Sequence, residues 1–132
     1  MASVLKLNKI HHIAIICSDY AVSKKFYTEI LELEPIKETY RAARQSYKLD
    51  LKVNTVYQLE LFSFPDPVTR PSRPEACGLR HLAFEVDDIM ISVDILKQKG
   101  VITEPVRTDE LTGKRFAFFA DPDGLPLELY ET

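Results

Sequence analysis

Four residues of this 132-residue chain have the types and spacing to hold a metal ion. His12 opens the apolar run His12-Ile13-Ala14, and 48 positions later Glu60 stands inside Leu59-Glu60-Leu61-Phe62. His81 opens His81-Leu82-Ala83, and 47 positions later Glu128 stands inside Leu127-Glu128-Leu129-Tyr130. Imidazole nitrogen and carboxylate oxygen together suit borderline divalent ions such as Ni, Co, Zn, Mn or Fe. Each glutamate lies between two leucines, so in a strand it points away from them, onto the opposite sheet face. A carboxylate turned into an enclosed face is costly without a cation beside it. A lone histidine at a strand end, or a lone glutamate on an edge strand, is more often structural. The recurrence of both at matched offsets is what favours a metal site at His12, Glu60, His81 and Glu128.

The elements that position these residues read as a duplicated unit. Residues 9–17 are short and β-branched, which predicts a strand with His12, Ala14 and Ile16 on one face. Ser18 or Asp19 caps a helix whose apolar stripe is Val22, Phe26, Ile30 and Leu31, and Pro35 stops its continuation. Strands are expected over 35–41, 45–53 and 55–63, with Gln58, Glu60 and Phe62 on one face. In the second half a strand runs from Leu79 to Val86, and Asp87 or Asp88 caps a helix with inner face Ile89, Val93 and Leu96. Gly100 is a left-handed cap, strands follow near 101–107, 115–120 and 126–131, and Asp121-Pro122-Asp123-Gly124 is a turn. His12 precedes Asp19 by the same seven positions that separate His81 from Asp88, which picks His12 over His11. The organisation is one domain over 1–132, made of a βαβββ module at 8–63, a Pro-rich linker at 64–77 and a second βαβββ module at 78–132.

Composition limits the alternatives. Hydrophobic residues are 45% and charged residues 28%, the balance of a globular chain, and the formal net charge of −3 offers no broad basic surface for nucleic acid. No apolar run approaches a membrane span and no signal-like stretch opens the chain, so neither membrane nor nucleic acid is expected and a cytoplasmic location is. Cys17 and Cys77 are expected to be buried or free thiols rather than a disulfide. There is no phosphate-cradling glycine loop, nucleophile elbow or thiolate cluster. Arg41, Arg44, Tyr47, Lys48, Arg70, Arg73 and Lys114 read more readily as solvated surface.

His-His-Ile-Ala-Ile at 11–15, Phe26-Tyr27, Gly78-Leu79-Arg80-His81-Leu82-Ala83-Phe84, and Phe119-Ala120-Asp121-Pro122-Asp123-Gly124 followed by Leu127-Glu128-Leu129 carry a resemblance over essentially the whole chain. It resembles the vicinal oxygen chelate superfamily, most closely its small bacterial glyoxalase-I-like members, and Arg73-Pro74-Glu75-Ala76-Cys77-Gly78 is similar to the YaeR-type branch. The resemblance implies an α+β fold in which two tandem βαβββ modules form a curved mixed-sheet half-barrel, the glyoxalase/dihydroxybiphenyl dioxygenase-like fold. It implies one divalent metal ion per site, with His12, Glu60, His81 and Glu128 as ligands and Glu128 as catalytic base. It also implies a homodimer acting on a small-molecule substrate. Ile16, Tyr47, Phe62 and Arg115 are the expected substrate contacts.

The second carboxylate, Glu60, resembles glyoxalase I rather than the two-histidine, one-glutamate pattern of extradiol dioxygenases and thiol-transferring resistance proteins. Ile16 and Phe64, however, stand where glutathione-using members carry an arginine and an asparagine. The expected activity is a metal-dependent lyase or isomerase not tuned for glutathione hemithioacetal. The alternatives are a non-catalytic, resistance-type small-molecule binder and an Fe(II)-dependent dioxygenase.

Overall fold

A computed structural model describes residues 3–132; the first two residues of the single-domain span 1–132 lie outside the described residues. The chain divides into two compact units, Met1–Pro67 and Val68–Thr132, and the division falls inside the Pro-rich stretch. Among the described residues no helix is long and apolar enough to cross a membrane.

In the first unit, β1 (His12–Cys17) leads into α1 (Tyr20–Lys25), which passes into a π-helical turn at Phe26–Ile30. Three strands follow: β2 (Glu34–Arg41), β3 (Ser46–Lys52) and β4 (Gln58–Ser63). The sheet order is β1-β4-β3-β2, with β1 parallel to β4 and the other neighbours antiparallel. Alternation divides the sheet. Ile15, Cys17, Leu49, Leu51, Leu59 and Leu61 are buried on one face, with Phe26 and Tyr27 also in the core. Asp19 caps α1, its carboxylate accepting from the Val22 amide at 3.2 Å.

The buried side of this helix differs from the expected stripe. Ser23, Phe26 and Tyr27 are buried, whereas Val22 is 50% exposed and Ile30 and Leu31 are only half-buried. The i, i+3, i+4 row through the small Ser23 faces the core, and apolarity alone misassigned Val22.

The second unit repeats the order with β5 (Leu82–Val86), α2 (Ile89–Gln98), β6 (Arg107–Thr108), β7 (Arg115–Ala120) and β8 (Pro126–Glu131). Its sheet order is β5-β8-β7-β6, again with the outer pair β5 and β8 parallel. Asp88 caps α2, and its buried residues are Ile89, Val93 and Leu96. The helix ends as expected at Gly100, whose φ is 82°. The Gly100 amide donates to the Lys97 carbonyl and the Val101 amide to the Leu96 carbonyl, satisfying carbonyls the last turn leaves open.

Several strands are shorter than expected, β1 beginning at His12 rather than at 9 and β4 at Gln58 rather than at 55. The strand expected over 101–107 contracts to Arg107–Thr108, because Pro105 has no amide to give the ladder and only the Glu104 amide reaches across, to the Phe118 carbonyl. The strand expected from Leu79 begins at Leu82. Neither cysteine is in a disulfide; Cys17 is buried and Cys77 exposed.

Candidate metal centre

Each unit brings one histidine and one glutamate together by the same register. In the first, Ala14 of β1 pairs with Glu60 of β4; in the second, Ala83 of β5 pairs with Glu128 of β8. The histidine two residues earlier, the first of β1 in one unit and just before β5 in the other, therefore comes beside the glutamate on the sheet face opposite the core. His12 Nε2 lies 3.6 Å from Glu60 Oε1, and His81 Nε2 lies 3.4 Å from Glu128 Oε1. Both separations are too long for a hydrogen bond. Two atoms each about 2.1 Å from a shared ion stand about 3.4 Å apart at a tetrahedral angle and closer at a right angle, so both pairs have the spacing of neighbouring ligands. Glu60 is only 7% exposed. The donor set and its spacing fit a divalent ion.

Each pair offers two candidate ligands. Among the described residues, no group of three or more His, Cys, Asp or Glu is gathered closely enough to hold an ion. The structure thus pairs His12 with Glu60 and His81 with Glu128.

The surroundings of the two pairs are unlike. Beside Glu60, β3 contributes Asp50 and Lys48, and β4 contributes Gln58. Gln58 Nε2 donates to Glu60 Oε2 at 3.2 Å, and Lys48 Nζ lies 3.8 Å from Glu60 Oε1 and 3.3 Å from Asp50 Oδ1. That Asp50 oxygen is buried and, though ion-paired, makes no hydrogen bond. Beside Glu128, the places of Asp50 and Lys48 are taken by Phe118 and Phe116 of β7. The His81 ring meets the Phe118 ring edge-on at 5.1 Å, and the Arg107 guanidinium lies 5.1 Å over Phe116. One glutamate is tied by polar neighbours; the other stands among aromatic rings. Lys48 and Asp50 were legible in principle, since the apolar alternation Tyr47, Leu49, Leu51 forces both onto the Glu60 face.

The four expected substrate contacts divide. Ile16 is exposed on the His12 face of β1, and Phe62 lies on the Glu60 face with the Arg41 guanidinium 4.9 Å over its ring. Phe64 stacks near Phe62 and lies under both Arg41 and Arg44. Tyr47 and Arg115 occupy the opposite parity of their strands. Tyr47 stacks on Tyr20 of α1 at 4.6 Å, and Arg115 makes a two-pronged ion pair with Glu131 at 3.0 and 2.8 Å. A one-residue step in a strand reverses the face, and it puts both on the side opposite Glu60 and Glu128.

The sequence model of the Glyoxalase/Bleomycin resistance protein/Dioxygenase superfamily matches residues 9–129. Over 125 residues the chain is 64% identical to the uncharacterized protein YwkD of Bacillus subtilis (strain 168), covering 95% of this chain and 98% of that protein. Over 128 residues it is 61% identical to the uncharacterized protein YaeR of Escherichia coli (strain K12), covering 97% and 99%. The crystal structure of the glyoxalase family protein from Enterococcus faecalis is similar with a TM-score of 0.87 at 49% identity, covering 93% of this chain and 97% of that one.

Proposed function

Because the chain belongs to the glyoxalase/bleomycin resistance protein/dioxygenase superfamily, we propose that it is a divalent-metal-dependent lyase or isomerase acting on a small substrate with two adjacent oxygens. The observation that carries this reading is the pair of His–Glu contacts, one per module, at 3.6 and 3.4 Å on identical registers. His12, Glu60, His81 and Glu128 would hold one Ni, Co, Zn, Mn or Fe ion, contributed by the two modules of one chain or of two chains in a homodimer. When bound, the ion supplies Lewis acidity toward the substrate oxygens. We place the protein in the cytoplasm.

The chain's own residues divide the remaining work. Glu60 is tethered by the Gln58 amide and faced by the Lys48 ammonium, which suits a fixed ligand. Among the described residues Glu128 has no such polar tether, and it lies beside aromatic rings, which suits a carboxylate that swings to take a proton from one substrate carbon and return it to the next. Phe116 and Phe118 line its side of the sheet.

Ile16 and Phe64 cannot supply the hydrogen bonds that would grip a glutathionyl group. Losing two such contacts, one to a charged carboxylate, costs on the order of 3–5 kcal/mol, roughly two to four powers of ten in kcat/KM. Methylglyoxal–glutathione hemithioacetal is therefore expected to be a poor substrate of the nickel, cobalt and zinc forms. A kcat/KM near the diffusional range would contradict this and turn attention to Arg41 and Arg44, whose guanidiniums already cover Phe64.

One observation favours a second reading. If Lys48 serves as the counter-ion of Glu60, the ligands left are His12, His81 and Glu128, the two-histidine, one-carboxylate set suited to an Fe(II) oxygenase. Glu60→Gln decides between them. Retained Fe(II) binding with oxygen consumption supports the oxygenase, and lost binding of every ion supports the four-ligand site.

A further inference from the structure

We propose that His11 is a positioning residue, which accepts a hydrogen bond from the Nδ1–H of His12 and so fixes the tautomer whose Nε2 lone pair is turned toward Glu60. The inference rests on the ligand assignment above. His11 Nδ1 and His12 Nδ1 are 2.9 Å apart, a hydrogen-bond distance, with the rings nearly perpendicular at 87°. A neutral imidazole has one N–H and one bare nitrogen, so one of these two Nδ1 atoms donates and the other accepts.

The far side of His12 decides which. His12 Nε2 is the atom that faces Glu60 Oε1, at a separation too long for a hydrogen bond. A ligating Nε2 carries no proton, which puts the proton of neutral His12 on Nδ1 and makes His12 the donor. His11 then accepts through Nδ1 and carries its own proton on Nε2. Because β1 begins at His12, His11 is not bound to strand alternation, and its ring turns back to meet its neighbour's edge.

The device belongs to the first module alone. Arg80 stands before His81 where His11 stands before His12, and a guanidinium has no acceptor atom. His81 meets a phenyl ring, Phe118, instead.

The test uses the full chain in mildly alkaline buffer, with zinc alone as the titrant and nitrogen-15 NMR of the metal-free imidazoles as the second readout. In the parent, the proton of His12 is expected on Nδ1. His11→Leu is expected to lose that preference and to weaken zinc by roughly 10–100-fold, the usual effect of removing an outer partner of a ligating histidine. His11→Asn, whose amide oxygen can stand in for Nδ1, is expected to restore both. A metal-free parent with the His12 proton on Nε2 would overturn the inference. So would His11→Leu binding zinc like the parent while His12→Ala loses it. If His12→Ala itself keeps full zinc affinity, the ligand assignment fails as well, and the NMR readout still reports separately on the His11–His12 bond.

Discussion

Glu60 and Glu128 are the same residue at the same register, yet their neighbours differ. Gln58 donates to Glu60 Oε2, and replacing it by leucine leaves that oxygen without its partner. Gln58→Leu is expected to weaken metal binding by roughly 10–100-fold while leaving the fold intact, as measured by titration with zinc. Arg115→Ala and Tyr47→Phe lie on the other face and are expected to leave metal affinity unchanged within about twofold; a larger loss would mean that these side chains reach the ligands after all. The two His–Glu pairs themselves were legible, because a leucine on each side of each glutamate determines where it points. Lys48 and Asp50 were harder to weigh. Their strand announces its apolar face, but nothing in a single chain says that β3 lies against β4 at Glu60 until the register is known.

At the scale of elements, α1 is fastened to β2 by one carboxylate. Tyr20 donates to Glu38, and Lys24 pairs with the same oxygen at 2.7 Å. The Lys24 ammonium, followed by the Tyr20 hydroxyl, holds the Glu38 carboxyl below its usual range, while burial and then the Glu38 bond push the Tyr20 phenol up. A depressed carboxyl stabilises the fold above the ordinary carboxylate range and loses that contribution as pH falls through its folded value. A raised phenol contributes below its ordinary range and loses it in strong alkali. The Tm difference between the parent and Glu38→Gln is therefore expected to be largest near neutral pH and to close in acid. A difference that grows in acid would contradict the clamp.

The helix faces invite a direct comparison. Phe26→Ala is expected to cost about 3–5 kcal/mol by denaturant titration, and Val22→Ser to stay within about ±0.5 kcal/mol, because Val22 faces solvent. Both capping aspartates, the Gly100 terminus and the β-α-β-β-β order were readable from local chemistry. The extent of β6 was not, since it depends on where Pro105 falls against the partner strand.

For the whole molecule, the proposed metal centre draws on both modules. Each offers one imidazole and one carboxylate, and an ion of this class takes at least three protein ligands, so neither pair is sufficient by itself. A homodimer is expected in sedimentation at micromolar concentration. A species of monomer mass only, with full metal content, would remove the arrangement in which modules are exchanged between chains.

The most direct test of the account is metal stoichiometry and affinity across the four ligands, by elemental analysis and titration of the parent and of His12→Ala, Glu60→Ala, His81→Ala and Glu128→Ala. A shared four-ligand centre predicts one divalent ion per set of four residues in the parent and a large loss of affinity in every variant. It is contradicted if Glu60→Ala and His81→Ala, one from each module, bind the ion as tightly as the parent.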